Sequence, residues 1–302
     1  MDAGLTRALA ALAQGTVPAP RPAPPRVLAD RPDGTVVRVG DVVAKAHAHD
    51  TARAALAARL AVAASPALST VLLPPLRPAA AELLGRPATL WPYGAPVDPE
   101  RPGDAPWEAA ARLLAALHRT PLDRMPGPVP PMRGPAKLAR ALERMAAAGP
   151  GADARAAAAV RAAARTLPAW ARDQAPPPPS RTLCHGDLHL GQLVRVPAGW
   201  RLIDVDDLGV GAPAWDLARP AAWYAAGLLD PAVWLRFLDA YRASGGPAAG
   251  PPGTDPWPEL EAAARALTVQ TAATAVAKAA EEGRGLDDVE RAMTDTCGRI
   301  AT

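Results

Sequence analysis

Apolar positions alternate with polar ones in the first third of the chain and recur at three- and four-residue spacing in most of the rest. Val27 to Ala29, Thr35 to Val39 and Val42 to His47 read as strands, separated by Asp30-Arg31-Pro32-Asp33-Gly34 and by Gly40-Asp41. Three runs with tight turns predict a small antiparallel sheet. Lys45 falls on the same side of its strand as Val43 and His47, which aims its ammonium across one sheet face. The plain alternative is an edge-strand lysine facing water. A short amphipathic helix is expected over Leu5 to Leu12, and a Pro-rich connector over residues 18–25. A second helix, Thr51 to Ala64, carries Leu56 and Leu60 four apart behind an Asp50 or Thr51 cap. Strands return at Val71 to Leu73 and Ala88 to Trp91, and Trp91-Pro92-Tyr93-Gly94 breaks into a loop.

Beyond Pro106 the helical period dominates, over 107–119, 136–147, 152–170, 214–228, 231–243, 257–282 and 286–300. Pro176–Pro179 reads as a stiff spacer. The sequence therefore predicts an α+β chain of two lobes: a small β-rich lobe over residues 1–96 and a larger helical lobe over 97–302. Such plans put their sites in a cleft.

Composition narrows the function classes. The chain has 302 residues, 49% hydrophobic, with one Phe, three Tyr and 37 Pro, a balance that points to GC-rich coding and strips Ala, Arg and Pro abundance of meaning. The 33 basic and 30 acidic residues are scattered, with no stripe that would track phosphates, so nucleic acid is not expected as a partner. Two cysteines are too few for a disulfide framework. No window approaches the roughly 18 apolar residues of a membrane span, so a soluble cytoplasmic protein is expected. Its oligomeric state is open.

Chemistry concentrates in Leu183 to Arg219, which holds two His, five Asp and a Gln. Leu193 to Val196 and Arg201 to Ile203 read as a hairpin that folds Asp187 and Gln192 back toward Asp204. Asp187 and Gln192 are five apart, the interval between the catalytic-loop aspartate and the metal-binding amide in phosphoryl transfer of the kinase type. That reaction needs one carboxylate for the attacking hydroxyl and oxygen ligands for Mg²⁺. Asp206 is a further metal candidate, and Asp207 a weaker one. Cys184 is expected to be a buried, inert thiol, and Trp215, Trp223 and Tyr224 to be core packing.

Within this stretch His185-Gly186-Asp187-Leu188-His189-Leu190-Gly191-Gln192, then Ile203-Asp204, then Gly211-Ala212-Pro213-Ala214-Trp215-Asp216-Leu217-Ala218 stand in the places of H-G-D-x-H-x-x-N, I-D and G-x-P-x-x-D-L-A. The segment resembles the catalytic loop and metal segment of the aminoglycoside phosphotransferase family, which has the two-lobed protein-kinase-like fold. The resemblance implies Asp187 as catalytic base, Gln192 and Asp204 as Mg²⁺ ligands, and Asp216 as a carboxylate steadying the loop, with His185 and His189 orienting it. It implies that Lys45 meets the phosphates of ATP or GTP, that Trp91, Pro92 and Tyr93 form a hinge meeting the purine, and that His118 is structural. Three features depart from the pattern: Gln192 replaces the usual Asn, as in the maltokinase-like branch; no acidic residue lies between Thr51 and Ala64 to pair with Lys45; and no Gly-rich phosphate loop precedes Gly34.

The expected function is a kinase that phosphorylates a hydroxyl of a small polar acceptor, an aminoglycoside, an amino sugar or a similar molecule. A nucleotide-binding protein with little turnover is the alternative, and a metallohydrolase using His185, Asp187 and His189 is the rival enzyme class. An aminoglycoside would need carboxylates for its ammonium groups. Glu281, Glu282, Asp287, Asp288 and Glu290 are the candidates, and a solvated helix face explains them equally well.

Overall fold

Alternation in the first third becomes strands, and the longer period becomes helices, in the computed structural model, which describes residues 2–16, 24–31 and 34–301. In chain order the strands are β1 Arg26–Arg31, β2 Gly34–Val39, β3 Val42–His47, β4 Ala81–Leu83, β5 Arg86–Pro92, β6 Ala95–Pro96, β7 Thr182–Cys184, β8 Leu193–Val196, β9 Gly199–Leu202 and β10 Gly209–Gly211. The helices are α1 Ala3–Gln14, α2 Arg53–Ala63, α3 Trp107–His118, α4 Gly134–Ala147, α5 Ala154–Thr166, α6 Ala214–Ala225, α7 Pro231–Ala243, α8 Trp257–Glu281 and α9 Asp288–Ile300. Most of the expected Pro-rich connector, and Pro32 and Asp33 of the first turn, lie outside the described residues.

The chain divides into two units. The first comprises Met1–Ala105, Thr120–Pro130 and Gly191–Asp206, and the second Pro106–Arg119, Pro131–Leu190 and Asp207–Thr302. The division differs from one boundary near residue 96, because the β8–β9 hairpin groups with the amino-terminal sheet: β6 pairs with β8, and Leu72 bridges to Leu202.

In the first unit five antiparallel strands run in the order β1-β2-β3-β5-β4. Period-two geometry splits their side chains between faces. Val37, Val39, Val42, Ala44, Ala46, Ala88 and Leu90 face α1, where Leu5, Leu9, Ala10 and Ala13 complete a small core. Val36, Val43, Lys45, His47 and Trp91 alternate with them and line a cavity instead. Residues 71–73, expected as a strand, form an isolated parallel bridge to Leu202: the Leu73 N–H donates to the Leu202 carbonyl and the Leu202 N–H to the Val71 carbonyl, each 2.9 Å. Pro74 and Pro75 follow immediately and have no N–H with which to extend a ladder.

The second unit is helical. Helix α8 is buried along much of its 25 residues, from Leu260 to Ala279, as expected of a helix packed on several sides. Helices α4, α5, α6 and α9 pack on it, and α3 packs on α7. The expected helix over 152–170 stops at Thr166 because Leu167 precedes Pro168, which disfavours helical geometry at the residue before it. Helix α6 stops at Ala225, and Gly227 follows at φ +75°. Strands β7 and β10 pair, with Cys184 opposite Gly209. No described helix is long and apolar enough to cross a membrane.

Helix α1 is tested by Leu9→Ala. Leu9 is fully buried against the sheet, so the variant is expected to lose about 3 kcal/mol of stability in urea titration.

Candidate active site

The cavity of the first unit has a volume of about 410 Å³, within the range of small-molecule sites. Its walls are apolar, from Leu28, Val36, Val43, Leu73, Trp91, Val194 and Ile203. Its polar groups are Lys45, His47, Gln192, Asp204 and Asp206. Leu28, 48% exposed, is a large apolar side chain left open where a flat apolar ligand would cover it.

The Lys45 ammonium sits 2.7 Å from Asp204 Oδ1 and 2.9 Å from Asp206 Oδ2. Burial alone would lower its pKa, but Asp204 and then Asp206 outweigh burial and hold it well above the ordinary lysine value. These two aspartates supply the partner that the second helix lacks. Asp206 in turn is held below the usual carboxylate range by Lys45 and His47, against the upward push of its own burial. His47 is itself buried; Nδ1 lies 3.2 Å from Asp206 Oδ2 and Nε2 lies 2.9 Å from Thr89 Oγ1. Trp91 Nε1–H donates to the same hydroxyl, 2.9 Å. A line of polar contacts thus runs from Trp91 through Thr89 and His47 to Asp206 and Lys45.

Asp204 has φ +62°, a region that Asp enters more readily than most residues and that marks functional turns. The turn follows directly from the hairpin, whose first residue Leu193 pairs with Leu202 while the Ile203 N–H donates to the Gln192 carbonyl, 2.9 Å. Gln192, Asp204 and Asp206 therefore line one cavity and offer oxygen ligands only, the donor chemistry of Mg²⁺. The Lys45 ammonium already bridges the two carboxylates, so a cation fits there.

Trp91, Pro92 and Tyr93 all contribute lining to the cavity. Pro92 has no N–H, and the Tyr93 N–H is taken by the Asp41 carbonyl, 2.8 Å. The Gly94 N–H is the next main-chain donor along. A side chain there would collide with Val194, its Cβ only 2.5 Å from Cγ2. The Arg38 guanidinium covers the Tyr93 ring at 3.2 Å from its centroid.

The loop residues His185 to Leu190 belong to the second unit. Asp216, fully buried in the first turn of α6, accepts from the His185 and Gly186 N–H groups at 2.6 and 2.7 Å. Its Oδ2 also lies 2.9 Å from His118 Nε2, and His118 Nδ1 lies 2.7 Å from the Tyr241 hydroxyl. Gly186 has φ +84°, and a Cβ on it would come within 2.4 Å of the Asp207 carbonyl oxygen. Only glycine lets the loop lie this close.

Asp187 is clamped by two cations that sequence reasoning did not find. Its Oδ2 lies 2.7 Å from Lys137 Nζ, and its Oδ1 accepts from Arg219 Nη2 at 2.8 Å. Burial would raise its pKa, but Lys137 and Arg219 outweigh burial and hold the carboxyl well below the usual range. Lys137 also reaches Asp207 Oδ2, 2.8 Å. One signal was available: the chain has three lysines, Lys45, Lys137 and Lys278, among 33 basic residues. Two of the three each bridge a pair of carboxylates, a task that suits a compact ammonium.

Among the described residues His185, Asp187 and His189 do not form a metal-ligand set; the cluster in ligand range is His118, Cys184 and Asp216. Cys184 is buried, which pushes its thiol well up. The hydrolase geometry is absent.

A family profile described as the phosphotransferase enzyme family matches residues 26–257. The chain belongs to that family and is a phosphotransferase. A search of curated protein sequences gives no match. Solved structures with the same fold include a thermostable variant of the aminoglycoside phosphotransferase APH(4)-Ia in complex with AMP-PNP and hygromycin B, with 14% identity and a TM-score of 0.60 over 93% of this chain and 94% of that one. A choline/ethanolamine kinase family protein from Mesorhizobium loti is 19% identical with a TM-score of 0.54 over 98% and 93%. Macrolide 2'-phosphotransferase MphH from Brachybacterium faecium is 18% identical with a TM-score of 0.51 over 98% of each chain. At these identities the likeness shows the protein-kinase-like fold.

His189 supplies a pH test. Burial, and after it Arg219, lower its pKa to about 4. The unfolded chain takes up this proton near pH 6.5, the folded chain only near pH 4. Stability from this group is therefore full above about pH 6.5 and falls as pH drops through that window. His189 alone is expected to contribute a loss of about 3 kcal/mol in urea titrations between pH 7 and pH 4, and His189→Asn is expected to flatten that slope.

Proposed function

We propose that the protein is a small-molecule kinase that transfers the γ-phosphoryl group of ATP, or GTP, to a hydroxyl of a small polar acceptor. The observation that carries the reading is the Lys45 ammonium held between Asp204 and Asp206 in a cavity with apolar walls. Phosphoryl transfer depends mostly on positioning and charge stabilisation, and these residues supply both. The AMP-PNP in the structure of the APH(4)-Ia variant favours a nucleotide here as well. We expect the enzyme to work in the cytoplasm.

In this reading the purine lies among Leu28, Val36 and Ile203 and meets the backbone around Pro92 to Gly94. Lys45 turns toward the phosphates. Gln192, Asp204 and Asp206 would hold Mg²⁺, which when bound neutralises charge on the phosphate oxygens. Asp187 orients the acceptor hydroxyl. The hydroxyl oxygen forms a bond to the γ-phosphorus, the bond from that phosphorus to the bridging oxygen breaks, and the nucleoside diphosphate leaves. The hydroxyl proton passes to Asp187 and on to solvent. A carboxylate held so acidic is a weak base, which suits a transfer in which the proton moves late. His185 and His189 support the loop, Asp216 ties down its backbone, and His118 backs Asp216.

The nucleotide-binding alternative rested partly on a lysine without an acidic partner. Lys45 has two such partners. The Asp187→Asn variant separates the readings. It is expected to lower kcat by about 10²- to 10⁴-fold while Mg²⁺-nucleotide still raises the melting temperature as in the wild type. Unchanged turnover on an identified acceptor would remove Asp187 from the chemistry.

A further inference from the structure

The carboxylates around the catalytic loop are already matched by cations or buried donors. Asp187 has Arg219 on one oxygen and Lys137 on the other. Asp207 has Lys137 at 2.8 Å and Arg133 at 3.6 Å. Asp216 is turned inward onto two loop N–H groups and His118. The acidic residues that the sequence offered for an aminoglycoside are committed as well. Glu281 pairs with Arg144, Glu282 and Glu290 pair with Arg284, and Asp288 pairs with Arg291. Asp287 caps α9.

We infer that the acceptor is a neutral or anionic hydroxyl compound, with no ammonium group beside the hydroxyl that is phosphorylated. This rests on the kinase reading above and deepens it. An ammonium approaching Asp187 would have to displace Lys137 or Arg219, and until it did so it would face like charges at contact range. A neutral hydroxyl needs no displacement. An ammonium has three N–H donors, and Lys137 uses two on Asp187 and Asp207 while its side chain remains 28% exposed. A third N–H remains to meet an acceptor oxygen. Lys137 is thus a specificity-determining residue: it neutralises the two aspartates that a polyamine would otherwise use.

The test compares acceptors matched in their hydroxyls and differing in charge: glucose with glucosamine, and kanamycin as a polyamine. The full chain is assayed with Mg²⁺ and ATP for kcat/KM on each. Glucose is expected to exceed glucosamine by at least about tenfold, and kanamycin to be poorer still. Lys137→Met is expected to narrow or reverse the ratio, and Lys137→Arg, which keeps the charge, to preserve its direction. Equal or better turnover of glucosamine by the wild type would overturn the inference and leave the kinase reading intact. So would an unchanged ratio in a folded Lys137→Met variant. If no sugar is turned over, calorimetric binding of the same pair with Mg²⁺ and AMP-PNP decides: tighter glucose binding supports the inference, and tighter glucosamine binding, or binding of neither, overturns it. Failure to bind Mg²⁺-nucleotide at all would sink the kinase reading separately.

Discussion

The amino-terminal unit is organised around one part-buried charge arrangement, the Lys45 ammonium between Asp204 and Asp206. Removing one partner from such a group leaves a half-buried charge with less compensation. The surrounding structure supplies what the arrangement needs. Strand β3 brings Lys45 to the cavity face because Ala44 and Ala46 occupy the face packed on α1. The β8–β9 hairpin brings in the aspartates, and Asp204 accepts a positive φ at its end. His47 and Thr89 fix Asp206 from the side. The same groups that neutralise Lys45 carry the oxygens that the proposed Mg²⁺ site would use.

The catalytic loop uses a parallel device. Its backbone is tied to Asp216, its tight approach to Asp207 requires Gly186, and its Asp187 carboxylate is flanked by Lys137 and Arg219. Both devices rely on lysine in a chain that uses arginine almost everywhere else. A guanidinium is a rigid planar fork, whereas an ammonium is a compact point charge with three rotatable N–H donors that fits between two carboxylates.

Much of this was legible in the sequence. Strand alternation placed Lys45, Val43 and His47 on one face, and the cavity is lined by all three. The H-G-D-L-H-L-G-Q segment marked the loop, and the hairpin was read with its turn in place. What escaped were contacts between residues far apart in the chain. Lys137 lies 50 positions before Asp187 on a helix whose pattern signals only packing. His47 read as the last residue of a strand, and its role appears only when Thr89 and Asp206 are brought to it. Residues 71–73 failed as a strand because β-propensity is local, whereas pairing needs N–H groups that Pro74 and Pro75 lack.

In the proposed reading Asp204 joins the Lys45 clamp to a Mg²⁺ site in the cavity that takes the nucleotide. Isothermal titration of AMP-PNP, with and without Mg²⁺, into the wild type and into Asp204→Asn tests it most directly. Mg²⁺ is expected to tighten nucleotide binding by at least about tenfold in the wild type, and most of this gain is expected to disappear in the variant. An equal Mg²⁺ gain in both proteins would contradict it.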